Sequence, residues 1–327
     1  MTQQNVVDAA NQAKAANDAY ANVGEGILPA IQNGNKTLSD LVEACRVHRQ
    51  AVADALASIG ASAPAPSPSP APSPAPSPST TVDSFFAAYA GPKILLDPSN
   101  SGSRFQDSGG TSALTVAGQS LGRINDIGGG SNHFAMGTAG KRPTFGQEGG
   151  RSYVSADAVD DCLVSVNSLD LSGVNKLTMI FGLRKRTISN PAIIAELGGN
   201  GEGSGAFAVN ATPSGFNVEG TGSSATSQAF IDTANPVLSV LTVQIDLSGA
   251  SGWVTRIQHN NDAVTDNTLA GSRTFLNANL NLFSRDTYAL FGPIDLYSFV
   301  LLGGNFPSDA NLLMLRQYVA GKTGVTL

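Results

Sequence analysis

KLTMIFGLRKRTISNPAIIAEL, residues 176–197, holds two short apolar runs, 176–185 and 192–197, parted by a polar connection that ends in Asn190 and Pro191. Apolar runs of this length, bounded by turn-forming residues, read as buried β-strands. The same pattern extends in both directions. Runs at 93–97, 162–166, 205–210, 215–219, 237–246, 252–259 and 295–302 are separated by Gly, Asn, Asp and Ser. Nine or more strands in one domain predict a sandwich or barrel. Residues 253–258 alternate polar and apolar, whereas 296–302 is apolar on both faces and belongs in the middle of a sheet. A closing helix is predicted, capped by Ser308, stopped by Gly321, and offering Leu312, Leu315 and Val319 to the sheet.

This β-rich region, 81–327, contains 32 of the 36 glycines in the 327-residue chain. Upstream lies ASAPAPSPSPAPSPAPSPST, residues 61–80, with Pro at every second position from Pro64 to Pro78 and eight of the 17 prolines of the chain. Alternate prolines fix φ and remove amide donors, so the segment is predicted to be an extended polyproline-II-like linker. At roughly 3.1 Å per residue it spans about 45 Å. No Arg or Lys flanks the prolines, which disfavours an SH3-type ligand.

Residues 1–60 are Ala-rich and read as two helices broken around residues 24–34. In the first, Val6, Ala10, Ala13, Asn17 and Tyr20 recur at alternating spacings of 4 and 3. In the second, capped by Thr37 with Asp40 at N3, Leu38, Leu41, Cys45, His48, Val52, Ala55 and Ile59 do the same before Gly60. So few large apolar side chains bury little alone, so this segment is expected to pack against copies of itself or another protein. A homo-oligomer follows, a trimer slightly favoured over a dimer.

Charged residues are 13% of the chain and the net charge is -6, without the basic excess that phosphate backbones or anionic lipid select. Nucleic-acid partners and membrane insertion are not expected, and no run approaches the ~18 apolar residues of a membrane span. The N-terminus lacks a basic stretch followed by an apolar one, which argues against a secretory signal. Cys45 and Cys162 form no cluster and read as small buried residues.

The order of motifs carries a further likeness. LLDPSNSGSRFQDSGGTSALTVAGQSLGRINDIGGGSNHFAMGTAGKRPTF at 95–145, YVSADAVDDCL at 153–163, KLTMIFGLRK, AIIAEL, and DLYSFVLL before a helix ending YVAGKTG resemble the concanavalin-A-like, laminin-G-like jelly rolls of tailed-bacteriophage virion proteins. The resemblance covers most of residues 90–324. It implies a phage virion structural protein, a head or tail fibre or capsid decoration. Residues 1–60 would dock on a capsid or tail protein, and the jelly roll would be displayed at the virion surface, in contact with host-surface glycan. It implies no catalysis, so no enzyme is expected. The competing expectations are a virion-associated polysaccharide depolymerase or glycosidase, which needs carboxylates brought together from separate strands, and a purely architectural capsid decoration.

Candidate chemistry is sparse. Glycosidases of this fold carry acidic residues two apart on one strand face, and that spacing does not occur here. Asp157, Asp160 and Asp161 suit a turn better than an acid and nucleophile pair, and three side chains are too few oxygens for calcium. No metal site, cofactor or catalytic residue is therefore expected. His48, His133 and His259 are far apart, and none has a carboxylate or cysteine at metal-ligand spacing. His48 reads as a polar layer in a helix bundle, and His259 as loop or solvent-facing. The glycines from 198 to 205 precede a strand, so they read as a hairpin connection and not a phosphate cradle. Trp253 and Tyr288, whose rings suit a saccharide, and Asn132 and His133 in the matched motif are the candidate carbohydrate contacts.

Overall fold

The computed structural model describes residues 81–198, 205–220, 226–229, 237–248, 253–269, 274–286 and 289–327. The helical segment 1–60, with its seam at Val6, Ala13, Tyr20, Leu38, Leu41, Cys45, His48, Val52 and Ile59, and the linker 61–80 lie outside the described residues.

The chain enters through α1 (Val82–Ala88), which the sequence reading passed over although Thr81 and Ser84 form a reciprocal capping box. Strands then follow in order: β1 (Lys93–Leu96), β2 (Arg104–Phe105), β3 (Arg123–Ile124), β4 (Phe134–Ala135), β5 (Thr144–Glu148) and β6 (Arg151–Ser155). Next come β7 (Leu163–Ser165), β8 (Leu169–Asp170), β9 (Lys176–Lys185), β10 (Ala192–Leu197), β11 (Phe207–Thr212), β12 (Gly215–Gly220) and β13 (Thr226–Ala229). The last are β14 (Val237–Asp246), β15 (Trp253–His259), β16 (Thr265–Leu269), β17 (Asn277–Ala278), β18 (Leu280–Leu282) and β19 (Ile294–Gly303), before α2 (Asp309–Thr323).

These strands make two large antiparallel sheets. One has eight strands in the order β16-β15-β14-β9-β19-β6-β5, with β1 also paired to β19; the other has nine, β13-β12-β11-β10-β18-β7-β4-β3-β2. β19 is central, as its two-faced apolarity predicts: β9 lies on one side, and β6 and β1 share the other. Between the sheets Leu177, Met179, Phe181 and Leu183 of β9 meet Leu197, Val209, Phe216 and Leu282 of the nine-stranded sheet in the main core. This is a two-sheet β-sandwich.

The other face of the eight-stranded sheet is covered by the helices. Ile180, Val240, Val300 and Leu302 pack there against Phe85 and Phe86 of α1 and Leu315 and Val319 of α2. Asp97 fastens α2 to the end of β1, accepting from Tyr318 Oη at 2.7 Å and pairing with Lys322 Nζ at 2.7 Å. Burial pushes this carboxyl up, but the hydrogen bonds from Lys322, Ser99 and Tyr318 outweigh it and hold Asp97 below the usual range.

Two boundaries correct the sequence reading. α2 passes through Gly321 and ends at Gly324, whose φ of 80° gives the left-handed cap that a helix stop requires. β11 starts two residues later than read, because Gly205, at φ 99°, belongs to the turn. The paired β10 and β11 confirm that the glycines between them join a hairpin. Cys162 is fully buried and free, packed as a small core residue. Among the described residues no helix is long and apolar enough to cross a membrane.

Candidate functional site

With the helices on the eight-stranded sheet, the face left to consider is the outer face of the nine-stranded one. Antiparallel register places cross-strand partners on the same face. One row therefore runs the width of the sheet: Phe105, Arg123, Ala135, Val164, Asn281, Glu196, Ala208 and Glu219. Their neighbours Leu197, Val209 and Val218 point into the core, so these side chains point out. Asn210 and Asn217, partners across β11 and β12, lie on the same face one pleat along.

Glu196 is the centre of the arrangement and is fully buried. Its Oε1 accepts from Arg285 Nε at 2.9 Å, and Arg285 Nη2 lies 3.4 Å from Glu219 Oε2. Arg285 follows β18 and thus spans two carboxylates on separate strands. Burial pushes the Glu196 carboxyl up to about 7, against the lowering effect of Arg285. Glu196 Oε2 makes no hydrogen bond, nor do the buried Oδ1 atoms of Asn210 and Asn217. These are three acceptors on β10, β11 and β12 that no donor among the described residues meets.

Of the candidates read from sequence, Asn132, His133 and Trp253 lie apart from this place. Asn132 and His133 precede β4, three strands from β10, and organise their own loop. His133 Nδ1 accepts from the Asp126 amide at 3.1 Å, while Asn132 donates through Nδ2 to the Lys93 carbonyl at 3.1 Å and through its amide to Asp126. Burial, then the Arg123 charge, lowers the His133 pKa. Trp253 begins β15 on the other sheet, paired with Leu269. Tyr288 lies outside the described residues. The structure brings neither Asn132 nor His133 to Glu196, and Trp253 belongs to the other sheet.

His259 corrects another expectation. It is mostly buried, with Nε2 3.0 Å from Ser239 Oγ and Nδ1 2.9 Å from Asp262 Oδ2, its ring 5.9 Å from that of Phe216. A carboxylate three residues on does reach it. Ser239 is fully buried between the sheets, so the trio ties the end of β15 to β14.

Asp157, Asp160 and Asp161 form the turn that was expected. Asp157 Oδ1 accepts from the Val159 and Asp160 amides, and Asp161 Oδ2 accepts from the Asp157 amide. Their carboxylate oxygens lie within 4.8 Å of one another, the one such acidic group among the described residues. Burial first, and the Asp157 charge second, raise the Asp161 carboxyl to about 7. A carboxyl raised in the folded state favours folding fully below its unfolded value of about 4, and that contribution is lost as pH rises through about 7. Asp161→Asn keeps the acceptor for the Asp157 amide and removes the ionisation. It is expected to raise the melting temperature at pH 8 and to raise it much less at pH 5. Equal gains at both pH values would contradict this.

Two cavities lie elsewhere. One of about 590 Å³ is lined by Ile188, Ser189, Pro191, Leu290, Phe291 and Pro293. The other, of about 410 Å³, is polar, with Gln106, Asp107, Gln119 and Arg142 among its walls.

Neither a protein-family model nor a curated protein sequence matches the chain. Solved structures do resemble it. A GH54 α-L-arabinofuranosidase soaked with a cyclic sulfate inhibitor superposes with a TM-score of 0.53 at 11% identity, over 74% of this chain and 65% of its own. An arabinofuranosidase complexed with arabinofuranosyl-α-1,2-xylobiose gives 0.50 at 10% identity over the same shares. Trypanosoma rangeli sialidase gives 0.46 at 8% identity, over 72% of this chain and 33% of that one. The likeness is one of fold.

The chain spans about two thirds of the arabinofuranosidase chains and a third of the sialidase. Even so, one expectation is overturned. The fold had been taken to imply display without catalysis, yet structures that share it are glycosidases, so the architecture gives no ground for setting an enzyme aside. Glu196 and Glu219, carboxylates on separate strands, meet at Arg285.

Proposed function

We propose that the chain is a bacteriophage virion protein whose concanavalin-A-like jelly roll, residues 81–327, engages glycan on the host surface through the outer face of its nine-stranded sheet. Residues 1–60 assemble with copies of themselves and dock on a capsid or tail protein, and the Pro-rich linker 61–80 holds the β-domain away from that foot. Several tethered domains then bind a repetitive polysaccharide far more tightly than one does.

The observation that carries the saccharide reading is the set of unsatisfied acceptors at Glu196 Oε2, Asn210 Oδ1 and Asn217 Oδ1. Asn210 and Asn217, direct partners on β11 and β12, stand roughly 5 Å apart, with Glu196 one pleat along on β10. A polyol supplies the missing donors. The direct test is binding of the full-length protein to an array of bacterial capsular and lipopolysaccharide glycans. The reading expects a set of hits that Asn210→Ala together with Asn217→Ala weakens tenfold or more. Silence across the array, or hits untouched by the double substitution, would contradict it.

A further inference from the structure

We propose that the same face cleaves the saccharide it holds, with Glu196 as acid–base and Glu219 as nucleophile of a retaining glycoside hydrolysis. The proposal rests on the saccharide reading above and adds catalysis to it.

The first support is placement. Glu196, Ala208 and Glu219 are successive partners on β10, β11 and β12, so the two carboxylates rise from backbones roughly 9 to 10 Å apart. Between them stands Ala208, whose side chain is a single methyl group. Both carboxyl groups reach one edge of the Arg285 guanidinium. Two acceptors on one guanidinium edge lie within roughly 5 Å of each other. Carboxyl groups about 5 Å apart are the spacing of retaining enzymes, whereas inverting ones leave about 6.5 to 9.5 Å for a water.

The second support is the unequal environment of the pair. The Glu196 side chain is 0% exposed and that of Glu219 36%. Burial favours the protonated form of Glu196, the state a general acid must start in. Glu196 Oε2 makes no hydrogen bond among the described residues, and it is the atom from which a glycosidic oxygen would take the proton.

In the first step Glu219 Oε attacks the anomeric carbon and forms an ester. The bond from that carbon to the leaving oxygen breaks, and the leaving oxygen takes the Glu196 proton. In the second step water attacks the anomeric carbon and gives a proton to the Glu196 carboxylate. The ester bond breaks, and Glu219 returns as carboxylate. Water is the sole co-reactant, and the product keeps the configuration of the substrate. Arg285, now forked between the two, holds Glu219 in place while the sugar takes its position beside Glu196.

The test uses the full-length protein with a panel of 4-nitrophenyl pentofuranosides and hexopyranosides and with any polysaccharide it binds, reading nitrophenol, reducing ends and product anomer by NMR. Turnover with retention is expected. Glu196→Gln should lower kcat by about 10² to 10⁴ while leaving the melting temperature at pH 5, where the carboxyl is neutral, close to wild type. Glu219→Ala should be silent until azide is added, and then release a glycosyl azide. Binding without any cleavage overturns the catalytic proposal and leaves the saccharide reading intact. Inversion, or a fully active Glu196→Gln, also overturns it. Absence of both binding and cleavage sinks the saccharide reading itself.

Discussion

Arg285→Ala should lower the melting temperature at pH 8 and much less at pH 5. The substitution leaves Glu196 fully buried with its one guanidinium partner gone. With Glu196 at about 7, its ionised form is favoured at pH 8 by about 1.4 kcal/mol, the most that loss of the guanidinium costs before the carboxyl takes up a proton instead. For a β-domain of this size that is roughly 3 to 6 °C. The pH dependence follows from the carboxyl itself. Glu196 already sits at about 7, so at pH 5 the folded protein holds it as a neutral acid and loses little with the arginine. At pH 8 the same group must ionise against burial or keep a proton against the solvent. Adding Glu196→Gln to Arg285→Ala should recover most of the loss at pH 8. Equal destabilisation at both pH values, with no recovery in the double variant, would show that Arg285 acts through packing alone.

Phe299→Ala is expected to cost more, for a different reason, and to leave the binding face untouched. Phe299 of β19 and Phe181 of β9 are register partners whose rings stack at 4.8 Å with planes 19° apart, both fully buried. The two strands are among the longest in the fold. Truncating such a ring leaves a cavity, and Phe→Ala costs about 3 to 5 kcal/mol in well-packed cores. Both rings belong to the eight-stranded sheet. Denaturant unfolding should therefore show the loss, while glycan affinity per folded molecule stays unchanged. A cost below about 1 kcal/mol would mean that the centre of the sandwich is far looser than its burial indicates.

Much of this architecture is written in local pattern. β9, β10 and β14 fall where their apolar runs begin and end, and the two-faced apolarity of 296–302 gives the central place of β19. The short strands β2 to β4 escape such reading, because two residues carry no periodicity and exist through partners distant in sequence. α1 hides for a related reason. Seven residues with no repeat are held by Phe85 and Phe86 against the sheet, a contact that no local rule announces.

The site was less legible than the fold. Glu196 stands in AIIAEL, a run that reads as core throughout, and the register shift between Ile193 and Ala195 spoils the alternation that would assign it a face. One trace was available: a lone acid in an otherwise apolar strand has to be paid for by a partner. Its partners Glu219 and Arg285 come from β12 and from beyond β18, joined by pairings that sequence spacing does not encode. Of the other candidates, Trp253 and Tyr288 stand out by side-chain type and Asn132 and His133 by the matched motif. The two that the structure describes in full, Asn132 and His133, serve their own loop.

Hydrogen exchange on the full-length protein, with and without a saturating oligosaccharide chosen from its array hits, tests the central claim most directly. New protection should concentrate in β10 to β12 and at residues 281–286, where the open acceptors and Arg285 meet. Protection confined instead to the cavity at Ile188 and Phe291, to the polar hollow at Gln106 and Arg142, or to the loop of Asn132 and His133 would place the saccharide elsewhere and contradict the account.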